Sequence, residues 1–110
     1  MEKKLEIYEY MVLTPEEATK MFWEESLKEK PDLQFIEDIL AYSPIDVNVQ
    51  NEWGWTALML AADEGNEKCV ELLLKHPGIV VNLQDEDGDT AWDLATNSIR
   101  QKFPQLNPNS

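Results

Sequence analysis

Cysteine is almost absent from this chain, because Cys69 stands alone among 110 residues. A single cysteine cannot form a disulfide within the chain and is typical of a reducing compartment. Long apolar runs are also missing, and no stretch approaches the roughly 20 apolar residues of a membrane helix. The opening run MEKKLEIYEYMVL has acids within its short apolar part, unlike a signal peptide. The sequence therefore predicts a cytoplasmic protein.

Basic residues are scarce, with nine Lys and Arg against 22 Asp and Glu, for a net charge of −13. Nucleic-acid phosphates and anionic membrane surfaces repel so acidic a chain, and neither is predicted as a partner. Residues 1–30 carry eight acids and five bases (−3), whereas residues 31–110 carry fourteen acids and four bases (−10). A surface that binds this chain is therefore expected to be basic.

Residues suited to catalysis or metal binding are few. Cys69 and His76 are the only residues of their kinds, and one of each makes neither a zinc site nor a nucleophile–base pair. No glycine-rich phosphate loop is present. We expect Cys69 to pack on a helix and His76 to lie at a helix end, where a positive charge suits the dipole. The sequence thus predicts no catalytic residue, metal, cofactor or enzymatic activity.

The chain contains an internal repeat, in which Pro44–Ala61 aligns with Gly78–Ala95. The two segments share ten identities in eighteen aligned positions. The same offset aligns Asp32 with Asn66, so the register extends upstream. Repetition at a period of about 20 to 50 residues is the signature of a protein built from stacked structural units.

Each unit is predicted to contain two short helices and a turn. The first helix follows Thr56 and ends at Gly65, which supplies a left-handed residue, and the second follows the capping residue Asn66. Gly88 is expected to have a positive φ in the turn that leads to the next unit. The inward-facing residues recur at three to four positions and are Leu58, Ala61, Ala62, Val70, Leu73 and Leu74.

The segment GWTALMLAADEGNEKCVELLLKHPGIVVNLQDEDGDTAWDLA resembles the ankyrin repeat. The resemblance implies an all-α fold, an ankyrin-repeat solenoid of antiparallel helix pairs joined by short β-turns. Two departures occur at the start of the first helix. Ala57 and Ala91 stand where the family usually has proline, and Met59 and Asp93 where it usually has histidine. These departures put the family's usual side-chain hydrogen bonds at that helix start in question, while the packing pattern is kept.

The predicted organisation is a single ankyrin-repeat domain over residues 14–104. It divides into an N-terminal capping repeat at 14–50, a full repeat at 51–84 and a C-terminal capping repeat at 85–104. Residues 1–13 form an N-terminal extension that fits neither the helical nor the strand period cleanly, and an extra helix turn, a strand and a partner-docking peptide are the alternatives for it. Residues 105–110 form a polar tail.

Both ends of the domain are expected to be atypical, since terminal repeats must cover an exposed face. Thr14, Pro15 and Glu17 predict a capping box at the start of a helix that runs to about Glu29, with its Glu and Lys positions exposed. A second helix is expected near residues 32–42. At the other end, residues 90–96 and a shortened helix before Pro104 complete the C-terminal cap.

Residues 85–93, DEDGDTAWD, raise the alternative of a calcium site, because closely spaced carboxylates are calcium ligands. An EF-hand loop has glycine at its sixth position and glutamate at its twelfth, whereas here Gly88 is fourth and Thr96 twelfth. The repeat register already assigns Asp85 and Gly88 to a turn. Calcium is therefore not predicted.

The candidate site is a partner-binding surface. Trp53 and Trp55 flank Gly54 at a turn tip, and aromatic rings surrounded by charge are typical of interface hot spots. In the ankyrin family the turn tips and inner helices form the concave binding surface, and the register places there Glu52, Trp53, Trp55, Asp63, Glu64, Glu86, Asp87 and Asp89. Alternatively, a tryptophan ring braces the neighbouring turn and the acids form a solvated face.

The resulting hypothesis is a protein–protein interaction module, monomeric without its partner, that binds a protein with apolar and basic patches. The alternatives are a self-associating structural protein, an inhibitor that blocks a partner's basic surface, and an engineered binder on an ankyrin scaffold. A short, free-standing ankyrin protein of this kind is similar to ones found in intracellular bacteria, in viruses and in eukaryotes, which extends the predicted location to a host's cytosol.

Overall fold

The structure is a computed structural model that describes residue 9, residues 11–43 and residues 45–109. Most of the predicted N-terminal extension, residues 1–8 and 10, lies outside the described residues. Within the described part the chain forms helices and turns without a strand, and the all-α prediction is confirmed. None of these described helices is long and apolar enough to cross a membrane. The chain divides into two compact units, Met1–Asp46 and Val47–Ser110.

The first unit contains helices α1, Pro15–Ser26, and α2, Leu33–Tyr42. The predicted capping box is present: the Thr14 hydroxyl accepts from the Glu17 N–H at 3.2 Å, and the Glu17 carboxylate accepts from the Thr14 N–H at 3.1 Å. α1 packs against α2. Their buried apolar side chains are Ala18, Phe22, Ile36 and Ile39.

Helix α1 differs from its prediction at its C-terminal end, because it stops at Ser26 rather than near Glu29. Glu25, predicted to be exposed, is only 5% exposed. Its carboxylate accepts from the Asp32 N–H at 2.8 Å and from the Lys28 ammonium at 3.0 Å. Glu25 thus turns inward to satisfy the loop that leads to α2, and α1 ends where that loop begins.

The second unit contains helices α3, Ala57–Glu64, α4, Glu67–Leu74, α5, Ala91–Leu94, and α6, Asn97–Lys102, followed by a 3₁₀ turn at Pro104–Leu106. α3 packs against both α4 and α5. Gly65 ends α3 with a φ of 71°, as predicted, and the Asn66 side chain caps α4 by accepting from the Cys69 N–H at 3.1 Å. The largest buried side chains are Leu58, Met59, Val70, Leu73, Ile99, Phe103 and Leu106.

The unusual residues at the helix starts still form side-chain hydrogen bonds. The Met59 sulfur accepts from the Thr56 N–H at 3.4 Å. In the next repeat the Asp93 carboxylate accepts from the Thr90 N–H at 2.9 Å and from its hydroxyl at 3.1 Å. The hydrogen bonds from Thr90, together with the nearby Arg100 charge, lower the pKa of Asp93. Both helix starts are therefore capped by acceptors other than histidine.

Two features near the C-terminus differ from the predictions. α5 ends at Leu94 instead of continuing to Thr96, because the Thr96 N–H donates to the Ala62 carbonyl at 3.3 Å in the preceding repeat. Leu106, assigned to the polar tail, is fully buried. The ordered end of the second unit therefore reaches beyond Pro104.

Candidate functional site

The first turn of the second unit is built around Asn51. Its side-chain oxygen accepts from the N–H groups of Trp53 and Trp55 at 3.0 and 2.9 Å. The Asn51 N–H donates to the Trp55 carbonyl at 2.9 Å, and the Gly54 N–H donates to the Asn51 carbonyl at 2.9 Å. Gly54 has a φ of 81°, which favours glycine. The turn is therefore held by its backbone together with the amide side chain of Asn51.

The second turn has the same arrangement around Asp85, the residue equivalent to Asn51 in the next repeat. One carboxylate oxygen of Asp85 accepts from the N–H groups of Asp87 and Asp89, each at 2.9 Å. The Asp85 N–H donates to the Asp89 carbonyl at 2.9 Å, and the Gly88 N–H donates to the Asp85 carbonyl at 3.0 Å. Gly88 has a φ of 82°, in agreement with the prediction of a positive φ.

The two turns are bonded to each other. The Trp53 carbonyl accepts from the Glu86 N–H at 3.1 Å. The side-chain amide of Gln50 donates to the Gln84 carbonyl at 2.9 Å and to the Gly54 carbonyl at 2.8 Å. These bonds fix the tip of the first turn against the second, so that side chains on the two tips share one surface.

Asn48 makes a further link between the repeats. Its side-chain amide donates to the Gly78 carbonyl at 2.7 Å, and its oxygen accepts from the Val80 N–H at 2.8 Å. Sequence reasoning did not assign Asn48 and Gln50 a role. The signal was present, because both residues belong to the ten identities between the repeats.

Six of the eight predicted site residues lie on the two turns, and we call these six the turn surface: Glu52, Trp53, Trp55, Glu86, Asp87 and Asp89. Trp53 is 60% exposed, whereas Trp55 and Asp89 are half-buried. Asp63 and Glu64 are exposed at the C-terminal end of α3. An eight-residue helix is about 12 Å long, so α3 separates these two acids from the turn that precedes its N-terminus.

Negative charge is concentrated at the second turn. Partial burial raises the pKa of Asp89, and the neighbouring charges of Asp85, Asp93 and Asp87 add to the effect. Oxygen atoms of Asp85, Asp87 and Asp89 lie within 4.8 Å of one another. However, one carboxylate oxygen of Asp85 already accepts hydrogen bonds from two backbone N–H groups. The side-chain oxygen of the uncharged Asn51 accepts the equivalent two bonds in the first turn. The turn structure alone therefore accounts for this spacing.

The other residues considered for chemistry have structural environments. Cys69 is buried on α4. The Nδ1 atom of His76 accepts from the Gly78 N–H at 3.0 Å in the turn after α4. Packing accounts for the position of Cys69, and a turn hydrogen bond accounts for that of His76.

The chain belongs to the ankyrin-repeat family. The family model described as ankyrin repeats, with three copies, matches residues 27–103, which is more than half of the chain. No curated protein matches the sequence. Ankyrin repeats generally mediate protein–protein interactions, and the family is typically non-enzymatic.

Proposed function

We propose that this protein binds a partner protein through the turn surface, with Trp53 as the central contact. The observation that carries the proposal is the exposure of Trp53, which is 60% exposed at a turn tip fixed by hydrogen bonds. An exposed indole on a rigid backbone loses little conformational entropy on binding, and tryptophan is among the residues most enriched at interface hot spots.

The surroundings of Trp53 support the same function. Glu52, Glu86 and Asp87 are exposed beside it, and none forms an ion pair with any residue that the structure describes. An apolar centre within a charged rim is the usual anatomy of a non-obligate interface. The partner is therefore proposed to present a group that packs against the indole, flanked by basic groups.

Trp55 has a second role in this proposal. It is half-buried, so its replacement is expected to affect packing as well as contact with a partner. Trp53→Ala is accordingly the cleaner test of contact, and Trp53→Ala/Trp55→Ala the more complete one. Asp63 and Glu64 belong to the proposed surface only if the partner also reaches along α3.

The protein itself is proposed to be a monomer in the cytosol before it meets the partner. Its net charge of −13 opposes close approach of two copies. Light scattering at several concentrations and salt conditions would measure the mass. A stable dimer at physiological salt would favour the self-associating alternative instead.

The test of the function is capture from a cytosolic lysate, identification of the captured protein, and measurement of its affinity with purified components. Trp53→Ala is expected to weaken binding by about 2 kcal/mol, roughly 30-fold, as hot-spot residues do. The matched control is Leu27→Ala, since Leu27 is also an exposed apolar residue, at 64%, but lies outside the turn surface. Equal affinities for all three proteins would refute the proposed site.

A further inference from the structure

Charge is segregated between the structural layers of the second unit. Residues 51–64 and 85–94, which hold the turns and first helices α3 and α5, contain eight acids and no Lys or Arg. Residues 66–76 and 96–103, which hold the second helices α4 and α6, contain two acids and four Lys or Arg. The layer of turns and first helices therefore has a net charge of −8, and the layer of second helices has a net charge of +2. A cationic partner is attracted by the first layer and repelled by the second.

Three of the four bases of the second helices, Lys75, Arg100 and Lys102, have local partners. Lys102 pairs with Glu67 at 2.9 Å, and Lys75 pairs with Glu71 at 3.4 Å. Within the described part of the second unit, no Lys or Arg forms an ion pair with an acid of the turn surface. The negative charge beside Trp53 is thus left without a neutralising side chain.

Arg100 illustrates how this chain accommodates a guanidinium group. Its carbon Cζ lies 5.2 Å from the centroid of the Trp92 ring. Its N–H groups donate to the carbonyls of Trp92 at 2.9 Å and Asp93 at 3.1 Å. A ring face and nearby oxygen acceptors together hold the cation. The turn surface offers the same two elements, with the exposed Trp53 ring as the face and carboxylates as the acceptors.

We propose that the occupant of the turn surface is a basic polypeptide segment of the partner, with an arginine side chain against Trp53 and bases paired with Glu86 and Asp87. The Glu86 N–H is bonded to the Trp53 carbonyl at 3.1 Å, so these two side chains leave adjacent backbone positions. Arginine fits better than lysine, because its planar guanidinium both stacks on an indole and pairs with a carboxylate in a fork. This inference rests on the proposed function and specifies the chemistry of the partner.

The probe is a capped hexa-arginine peptide, compared with capped hexa-lysine, at 0.15 M salt and followed by ¹⁵N–¹H NMR. The indole signal of Trp53 and the amide signals of residues 52–55 and 86–89 are expected to shift, and hexa-arginine is expected to bind more tightly than hexa-lysine. At this salt concentration the Debye length is about 8 Å, so attraction by distant charges is screened. Shifts spread over α4 and α6 would overturn the proposal, as would no shift at millimolar peptide.

Two variants separate the ring from the charges. Trp53→Leu is expected to weaken hexa-arginine binding about two- to fivefold, the size of an exposed cation–π contact. Glu86→Gln/Asp87→Asn is expected to weaken it by about threefold or more. The matched control Glu67→Gln/Glu71→Gln removes the same charge from α4 and should change affinity by less than about twofold. Equal losses in the two double variants would show diffuse attraction and overturn the inference.

Other occupants give distinct results. If an uncharged glutamine–leucine hexapeptide bound as tightly as hexa-arginine, the partner would be apolar and the basic segment would be rejected. A concentration-dependent dimer that excludes hexa-arginine would identify a second copy. A purified partner that loses affinity with Trp53→Ala, but binds equally at low and high salt, would keep the proposed function while rejecting this inference. A partner unaffected by Trp53→Ala would reject both.

Discussion

The contact between the two turns can be tested with a matched pair of glycines. Gly54 and Gly88 occupy equivalent positions in the two turns, with φ values of 81° and 82°. A Cβ atom added to Gly54 would lie 3.0 Å from the Asp85 Cα and 3.0 Å from the Glu86 nitrogen. A Cβ atom added to Gly88 would have no neighbour within 4 Å. Only the first substitution therefore disturbs the packing of one turn on the other.

The expected magnitudes follow from separate costs. A residue with a side chain loses roughly 1–2 kcal/mol in the left-handed region, and the reduced entropy of the unfolded chain offsets about 0.4–1 kcal/mol of this. Gly88→Ala should therefore lower the free energy of unfolding by about 1 kcal/mol. Gly54→Ala adds an overlap with backbone atoms, which costs about 1–3 kcal/mol more, for a total of about 2–4 kcal/mol.

Urea denaturation followed by circular dichroism measures this difference. Both variants should have a lower midpoint and an unchanged slope with denaturant, because the surface exposed on unfolding is the same. Equal destabilisation of Gly54→Ala and Gly88→Ala, within about 0.5 kcal/mol, would refute the close contact between the turns. It would also remove the structural basis for treating the two tips as one surface.

Further predictions concern the ends of the domain and its helix starts. Leu106→Ala should destabilise the protein by about 2–5 kcal/mol, as loss of a core leucine does; an unchanged urea midpoint would restore the view of this residue as part of a free tail. Glu25→Ala leaves a backbone N–H at the start of α2 without its acceptor and should cost about 1–3 kcal/mol. Lys28→Ala should cost less than about 1 kcal/mol, as for a partly exposed ion pair. A larger loss of stability in Lys28→Ala than in Glu25→Ala would contradict the view that Glu25 acts mainly as the acceptor of the Asp32 N–H. Asp93 has a lowered pKa in the folded protein, so its stabilisation is present above its ordinary pKa of 3.8 and is lost as pH falls through the folded value. The Tm difference between the wild type and Asp93→Ala should accordingly shrink from neutral to acidic pH, and a constant difference would exclude a role for the Asp93 charge in capping Thr90.

The parts of the fold that sequence reasoning predicted correctly depend on local chemistry. Thr56 accepts from an N–H three residues later, Gly65 adopts a positive φ, and Asn66 caps the helix that follows it. Each of these needs only a few neighbouring residues, and the repeat register places a second helix-capping threonine at Thr90 and a second capping side chain at Asp32. Local signals of this kind are visible in a single sequence.

The differences from prediction arise where a distant group decides the outcome. Glu25 resembles any helical surface glutamate, and its burial depends on a loop N–H seven residues away. α5 stops early because Thr96 donates to the carbonyl of Ala62, which lies in the preceding repeat. Hydrophobic period and helix propensity carry no information about such contacts, because tertiary hydrogen bonds are not encoded locally.

The candidate site was predictable in its location and not in its detail. The register alone brings residues 52–55 and 86–89 to adjacent turn tips, because equivalent positions in stacked repeats are neighbours. The unequal exposure of Trp53 and Trp55 could not be predicted, since it depends on how each ring meets the rest of the unit. The separation of Asp63 and Glu64 from the turns follows from the length of α3.

In the first turn, different side chains hold the backbone and face a partner, so the partner-facing side chain can be changed while the turn stays folded. The side chains that shape the first turn are Asn51 and Gln50, whose amide groups bond its backbone. Trp53 contributes only its N–H and carbonyl to those bonds. Replacement of the Trp53 side chain leaves every one of these hydrogen bonds possible, whereas Asn51→Ala removes the acceptor of two N–H groups. Trp53→Ala should therefore unfold at the same urea concentration as the wild type, and loss of partner binding in that variant would report on contact and not on folding.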